Sequence, residues 1–317
     1  MSLYLVTGGA GFIGSHLVDR LIGDGHRVRI IDNLSTGKRE NINPESEFIE
    51  ADIRDKAALK VAMAEVDGVF HLAAVASVEE SVRDWQGTHA INLSATVSIL
   101  DQAAKTEGKK PKVVYASSAA VYGDSAEIPL AESATPSPIT PYGADKLACE
   151  YHARAGALVR DVASVGLRFF NVYGPRQDPK SPYSGVISIF MDRIRQGLPV
   201  TLYGDGSQVR DFVYVGDVVD CLCLAMEKAE PRPQVFNVCT GRQTSIAMLA
   251  DLIGIISRRH INVTRAAPRA GDIRQSLGAP DRAKRALGFT AETTLGEGLF
   301  RTMESFGDFE PGLALSA

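Results

Sequence analysis

The sequence predicts an α/β protein, a doubly wound parallel sheet followed by a smaller α/β domain, and three observations carry that reading. An apolar run, Leu3 to Thr7, enters a glycine-rich turn holding Gly8, Gly11 and Gly14. A second apolar run, Arg27 to Ile31, ends on an acid, Asp32. Beyond it, short apolar runs alternate with amphipathic stretches, the rhythm of parallel strands joined by crossover helices. The chain has 317 residues, 45% of them hydrophobic, which suits a sizeable core in one large or two modest domains.

The elements follow in order. Glycine lacks Cβ, so Gly8 and Gly11 let the chain turn sharply and bring backbone N–H groups against a pyrophosphate at the start of the next helix. Phe12 and Ile13 open that helix, and Gly14 lets it lie close on the sheet. The spacing is G-x-x-G-x-x-G rather than G-x-G-x-x-G, and a glycine triplet alone is a weak signal. Its context is specific. Asp32 stands about 20 residues on, where a carboxylate accepts both ribose hydroxyls of NAD and repels a 2′-phosphate. Lys38 and Arg39 are near enough to serve NADP, but the acid at the strand tip favours NAD, in a Rossmann-type arrangement.

Further strands are predicted at Glu47–Glu50, Gly68–Leu72, Lys112–Ala116 and Ser164–Phe169, with helices near Lys56–Glu65, Trp85–Lys105 and Tyr142–Val159. The regularity decays after residue 170. Residues 1–170 are therefore assigned to the dinucleotide-binding domain and 171–317 mainly to the second, with some segments returning to the first. Residues 171–210, rich in Pro and Gly, predict loops around a site, and the tail after Phe306 predicts fraying.

Composition narrows the partners. The net charge of −4 is dispersed, with no basic field for nucleic acid and no polybasic membrane patch. Cys149, Cys221, Cys223 and Cys239 show no metal-binding spacing and read as small core residues, so no metal is expected. No signal peptide precedes the first strand and no apolar run approaches membrane-spanning length, so a cytoplasmic location is expected.

In open α/β sheets ligands bind beyond the carboxyl ends of the strands. Ser117 and Ser118 directly follow the Lys112–Ala116 run. Downstream, Thr140 can cap a helix and Pro141 can open it, which places Tyr142 and Lys146 one turn apart on one face. An ammonium there stabilises a phenolate and suits the tyrosine to act as a general base. Such pairs occur by chance in many helices. This one follows a cofactor turn and a Ser-Ser turn, and it opens a helix on the ligand side of the sheet.

These residues resemble the extended short-chain dehydrogenase/reductases, and within them the nucleoside-diphosphate-sugar 4-epimerases. The resemblance runs almost end to end and includes Asp32-Asn33-Leu34-Ser35-Thr36-Gly37, Asp52-Ile53, His71-Leu72-Ala73-Ala74, Asn92, Arg168-Phe169-Phe170-Asn171-Val172-Tyr173-Gly174-Pro175-Arg176, Gly204-Asp205-Gly206-Ser207 and Arg210-Asp211-Phe212-Val213. It implies Tyr142 as the base, Lys146 on the nicotinamide ribose and Ser118 on the reacting sugar oxygen. It also implies NAD contacts from Asn33, Leu72, Ala73, Ala74 and Asn92, with Asp52 and Ile53 facing the adenine. Asn171 is implied on the sugar diphosphate, Arg210 and Arg269 on its phosphates, and Ala76, Ser77 and Asp272 on the substrate. NAD is implied to stay bound and to be regenerated at each turnover.

Family dehydratases and the related decarboxylase place acids after the serine or threonine of the Ser-Ser turn; here Ala119 and Ala120 stand there, which implies return of the hydride and epimerisation. Ser276 occupies the position that a bulky tyrosine holds in Glc/Gal-restricted members, and Ala76 replaces a lysine of some epimerases. Both substitutions open room for an N-acetyl group. The resemblance thus implies UDP-GlcNAc/UDP-GalNAc, UDP-Glc/UDP-Gal, or both. A uronate 4-epimerase, another nucleotide-sugar epimerase or reductase, and a non-catalytic cofactor-binding protein stay open. By the same analogy a homodimer is expected through the helices near 85–105 and 142–159.

Overall fold

In a computed structural model, residues 1–179, 181, 185–268 and 273–307 are described. Its centre is a seven-stranded sheet, wholly parallel, in the order Val235–Val238, Ser164–Phe169, Lys112–Ser118, Gly68–His71, Leu3–Thr7, Arg27–Asp32, Glu47–Glu50. The strand order reverses between Leu3–Thr7 and Gly68–His71, which opens a crevice at their carboxyl ends. Ser164–Phe169 is buried at all six positions, as a strand covered on both faces must be.

The predicted strands stand within two residues of their expected ends, two helical readings need correction, and one helix goes unannounced. The stretch read as one helix over 85–105 is three pieces: Trp85–His89, a π-helical turn at Ala90–Ser94, and Ala95–Lys105. The helix read as ending at Glu65 ends at Ala62. A short helix, Val78–Arg83, has no period long enough to announce it. Gly14 also acts differently from its expected role. A Cβ there would meet the Gly8 carbonyl oxygen, so Gly14 closes the helix onto its own glycine turn, while Leu17, Val18 and Leu21 pack it on the sheet.

The second half of the chain does not stand apart. Its strand Val235–Val238 extends the main sheet, and helix Val215–Lys228 joins helix Phe12–Gly23 in the core on one sheet face. The remaining strands are short, pairing Asn171–Tyr173 with Phe212–Tyr214, Val200–Tyr203 with Val263–Ala266, and both Thr244–Ser245 and Gln275–Ser276 with Val209–Arg210. Asp211 ties this region together. Fully buried, its carboxylate accepts from Thr240 N and Oγ1, Gly241 N and Gly278 N at 2.7–3.3 Å, and burial raises its pKa. Among the described residues no helix is long and apolar enough to cross a membrane, and no group of His, Cys, Asp or Glu is placed to hold a metal. Cys149, Cys221 and Cys239 are buried, Cys223 partly so, and all four are unpaired.

Candidate active site

The crevice is a cleft of about 500 Å3 lined by residues from both halves of the chain. Gly8 lies on its floor with φ of 72°, and a Cβ there would come within 2.8 Å of Ala73 N, so only glycine lets the two strand ends meet this closely. Helix Phe12–Gly23 starts beside it with no side-chain cap, which leaves its first N–H groups facing the cleft for an anion. Asp32 sits opposite, accepting from Ala10 N at 3.0 Å and Leu34 N at 2.8 Å. Burial raises its pKa while these two bonds oppose the rise. Asp52 is held below the usual carboxylate range by a two-point fork from Arg54 at 2.8 and 2.9 Å, and Asn33 reaches it at 3.2 Å.

Tyr142 and Lys146 enter from helix Pro141–Arg160. Thr140 caps it by accepting from Gly143 N at 3.1 Å, worth about 1 kcal/mol, and Pro141 takes its first position. Tyr142 N donates to Ser81 Oγ at 3.2 Å, so the unannounced helix Val78–Arg83 pins the start of this one. Lys146 is buried, with Nζ 5.8 Å from the Tyr142 ring centroid; one of its three protons goes to the Ala116 carbonyl at 3.0 Å. Ser118 Oγ accepts from Ala120 N at 3.1 Å, which leaves its own proton to donate.

A second cavity, about 280 Å3, adjoins at Ser118, Ala120, Phe169, Phe170 and Asn171. Ser276 lines it, paired in register with Arg210. Arg210 Nη1 donates to the carbonyls of Val209 and Ile273 at 2.9 and 2.8 Å. Val78, Ala119, Leu130 and Ile139 make most of the remaining wall apolar.

The structure brings most of the expected positions onto the large cleft: Gly8, Gly11, Phe12, Ile13, Gly14, Asp32, Asn33, Asp52, Ile53, Leu72, Ala73, Ala74, Ala76, Ser118, Tyr142, Lys146 and Asn171. Two do not reach a cavity wall. Asn92, buried, gives both amide atoms to Val75, accepting from its N at 2.8 Å and donating to its O at 3.0 Å; it anchors the 73–76 loop, while Ile91 of the same π-helical turn lines the cleft. Ser77, also buried, caps helix Val78–Arg83 by accepting from Glu80 N at 2.9 Å. Arg269 and Asp272 lie outside the described residues. Sequence reasoning missed the buried Glu150–Arg168 pair and the cleft-lining Gln177 and Asp178. The Pro/Gly-rich composition after residue 170 marked loops at a site without saying which residues would face it.

A model of the NAD dependent epimerase/dehydratase family matches residues 4–239. The chain belongs to that family. Within the epimerase/dehydratase family it is 39% identical over 313 residues to UDP-glucose 4-epimerase of Mycolicibacterium smegmatis, covering 95% of this chain and 97% of the relative. A UDP-glucose 4-epimerase from Thermotoga maritima, solved with UDP-glucose, superposes with a TM-score of 0.92 at 40% identity, over 96% of this chain and 98% of that one. A UDP-N-acetylglucosamine 4-epimerase from Methanobrevibacter ruminantium M1, in complex with UDP-N-acetylmuramic acid, superposes with a TM-score of 0.91 at 37% identity, over 96% and 98%.

Proposed function

We propose that the chain interconverts the C4 epimers of a UDP-sugar with NAD held in the large cleft, and that its sugar pocket admits UDP-GlcNAc and UDP-GalNAc as well as UDP-Glc and UDP-Gal. The convergence of Ser118, Tyr142 and Lys146 on one cleft beside the glycine turn carries this reading. The cradle suits a dinucleotide: Gly8 lets its turn close against the Ala73 backbone at the cleft, the uncapped helix start faces the same space, and Asp32 lines it where a ribose would lie. NAD supplies a hydride acceptor and donor at the sugar C4. Tyr142 removes the O4 proton as the C4 carbonyl forms and, once the keto sugar has turned so that the C–H bond re-forms on its opposite face, returns that proton to O4. Ser118 donates to O4 throughout. Lys146, fixed by Ala116 O, directs its remaining protons toward the ribose.

Two features narrow the reaction and the sugar. The absence of an acid at Ala119 and Ala120 supports epimerisation over elimination; for a neutral sugar, the support is that among the described residues lining the smaller cavity Arg210 is the one cation, its Nη1 engaged by two carbonyls. Ser276 keeps that cavity open for an N-acetyl group. The testing experiment incubates purified protein with UDP-GlcNAc and, separately, UDP-Glc, and resolves the products by anion-exchange chromatography. UDP-GalNAc and UDP-Gal are the expected products. UDP-Gal alone would overturn the pocket reading, and no product even with added NAD would overturn the epimerase reading. Ser276→Tyr is expected to lower kcat/KM for UDP-GlcNAc roughly 10- to 100-fold and to leave UDP-Glc within a few-fold of wild type. Equal effects on both would remove Ser276 from substrate selection.

Helices Ala95–Lys105 and Pro141–Arg160 pack together, and the second exposes Tyr151, Leu158 and Val159 at 60%, 60% and 74%. Apolar residues this exposed on one helix favour a homodimer through this face. Light scattering at micromolar concentration is expected to give twice the chain mass; a monomer mass would overturn it.

A further inference from the structure

The segment after Tyr173 is fastened to the far wall of the large cleft. Arg176, Gln177 and Asp178 line the cleft and follow the strand Asn171–Tyr173; Gln177 bonds back to the Val172 carbonyl, while Arg176 and Asp178 reach the glycine-turn side. Arg176 Nη2 lies 2.7 Å from Asp19 Oδ2 on helix Phe12–Gly23. On the same helix, His16 Nε2 donates to the Pro175 carbonyl at 2.9 Å. Lys38, which follows the Asp32 strand tip and lines the cleft itself, places Nζ 3.2 Å from Asp178 Oδ2. Local backbone geometry holds the segment in this path. Arg176 takes φ of 65°, a left-handed conformation uncommon outside glycine, and Gly174 passes so near Val215 that a Cβ would clash with its Cγ1.

We propose that residues 174–178 form a clasp whose ion pairs, Lys38–Asp178 and Arg176–Asp19, bridge the two walls of the cleft across a bound dinucleotide and set how slowly NAD leaves. The inference rests on the dinucleotide reading of the cleft. A cofactor regenerated at each turnover gains nothing from exchange, and any widening of the cleft that frees it must separate both pairs. Their side chains are 33–43% exposed, so the pairs are open to screening by salt. The clasp also directs Lys38 to an acid, away from any 2′-phosphate.

The test loads the protein with tritium-labelled NAD and follows its release during a chase with unlabelled NAD. Lys38→Ala and Arg176→Ala are each expected to speed release by up to about fivefold, and the two together by roughly tenfold. The exchange of charges in Lys38→Asp with Asp178→Lys is expected to return release to within about twofold of wild type. Raising salt to about 0.5 M should speed release from wild type but not from the double alanine variant. Thermal midpoints near that of wild type establish that the variants are folded. Unchanged release in every alanine variant, or a charge exchange that releases NAD as fast as Lys38→Ala, overturns the clasp. Failure of wild type to retain any label overturns the dinucleotide reading, and the clasp with it.

Discussion

Tyr142→Phe is expected to lower epimerase turnover by about two to four orders of magnitude while leaving the fold and NAD binding intact. The substitution deletes one oxygen and nothing that positions the residue. Its place is set by the Thr140 cap, by Pro141 and by the bond from Tyr142 N to Ser81 Oγ, all independent of the phenol. The ring remains beside Lys146, whose ammonium keeps its bond to Ala116 O. What disappears is the group that takes the O4 proton, an interaction made in the transition state, so kcat falls and KM changes little. Product formation by chromatography, together with NAD released on denaturation, checks both halves of the expectation. Turnover within tenfold of wild type would refute Tyr142 as the base.

Glu150→Ala is expected to destabilise the protein by about 3–5 kcal/mol. Glu150 and Arg168 are 7% and 5% exposed, and the carboxylate receives Arg168 Nε at 2.9 Å and Nη2 at 2.7 Å. Ser117 Oγ donates to the same carboxylate at 2.6 Å, and Arg168 lies 4.7 Å over the Tyr122 ring. Removal of the acid strands a guanidinium whose Nη1 has no hydrogen-bond partner among the described residues. The pair also joins strand Lys112–Ser118, strand Ser164–Phe169 and helix Pro141–Arg160, the elements that present Ser118, Phe169 and Tyr142 to the cleft. A drop in Tm of about 5 °C by calorimetry is the expected reading for a chain of this size. Glu150→Leu with Arg168→Met should recover much of the loss, because no charge is then left buried alone. A single variant with unchanged Tm would show that water reaches Arg168 and that the pair carries no structural role.

Much of the fold was legible because each signal was local. The Leu3–Thr7 run, the glycine turn and Asp32 lie within one supersecondary unit, and Thr140-Pro141 announces its helix by capping chemistry alone. The contacts of Asn92 and Ser77 were not legible from sequence. Short polar side chains suit a ligand and a backbone amide equally well, and here the backbone claims both. The π-helical turn at Ala90–Ser94 escaped for a related reason: one extra residue in a turn leaves the apolar period nearly unchanged while rotating Ile91 onto the cleft. Glu150 and Arg168, 18 residues apart, meet only once the sheet has formed.

The position of strand Val235–Val238 constrains how the molecule is made as well as how it stands. A nascent chain reaches residue 169 with six of the seven sheet strands already synthesised. The strand that covers their outer edge is still more than sixty residues from emerging. Until the ribosome delivers it, Ser164–Phe169 presents open hydrogen-bonding groups along a strand that the finished protein buries at every position. Synthesis therefore passes through an interval in which a nearly complete sheet is one strand short and adhesive, and shielding by chaperones matters most during that interval.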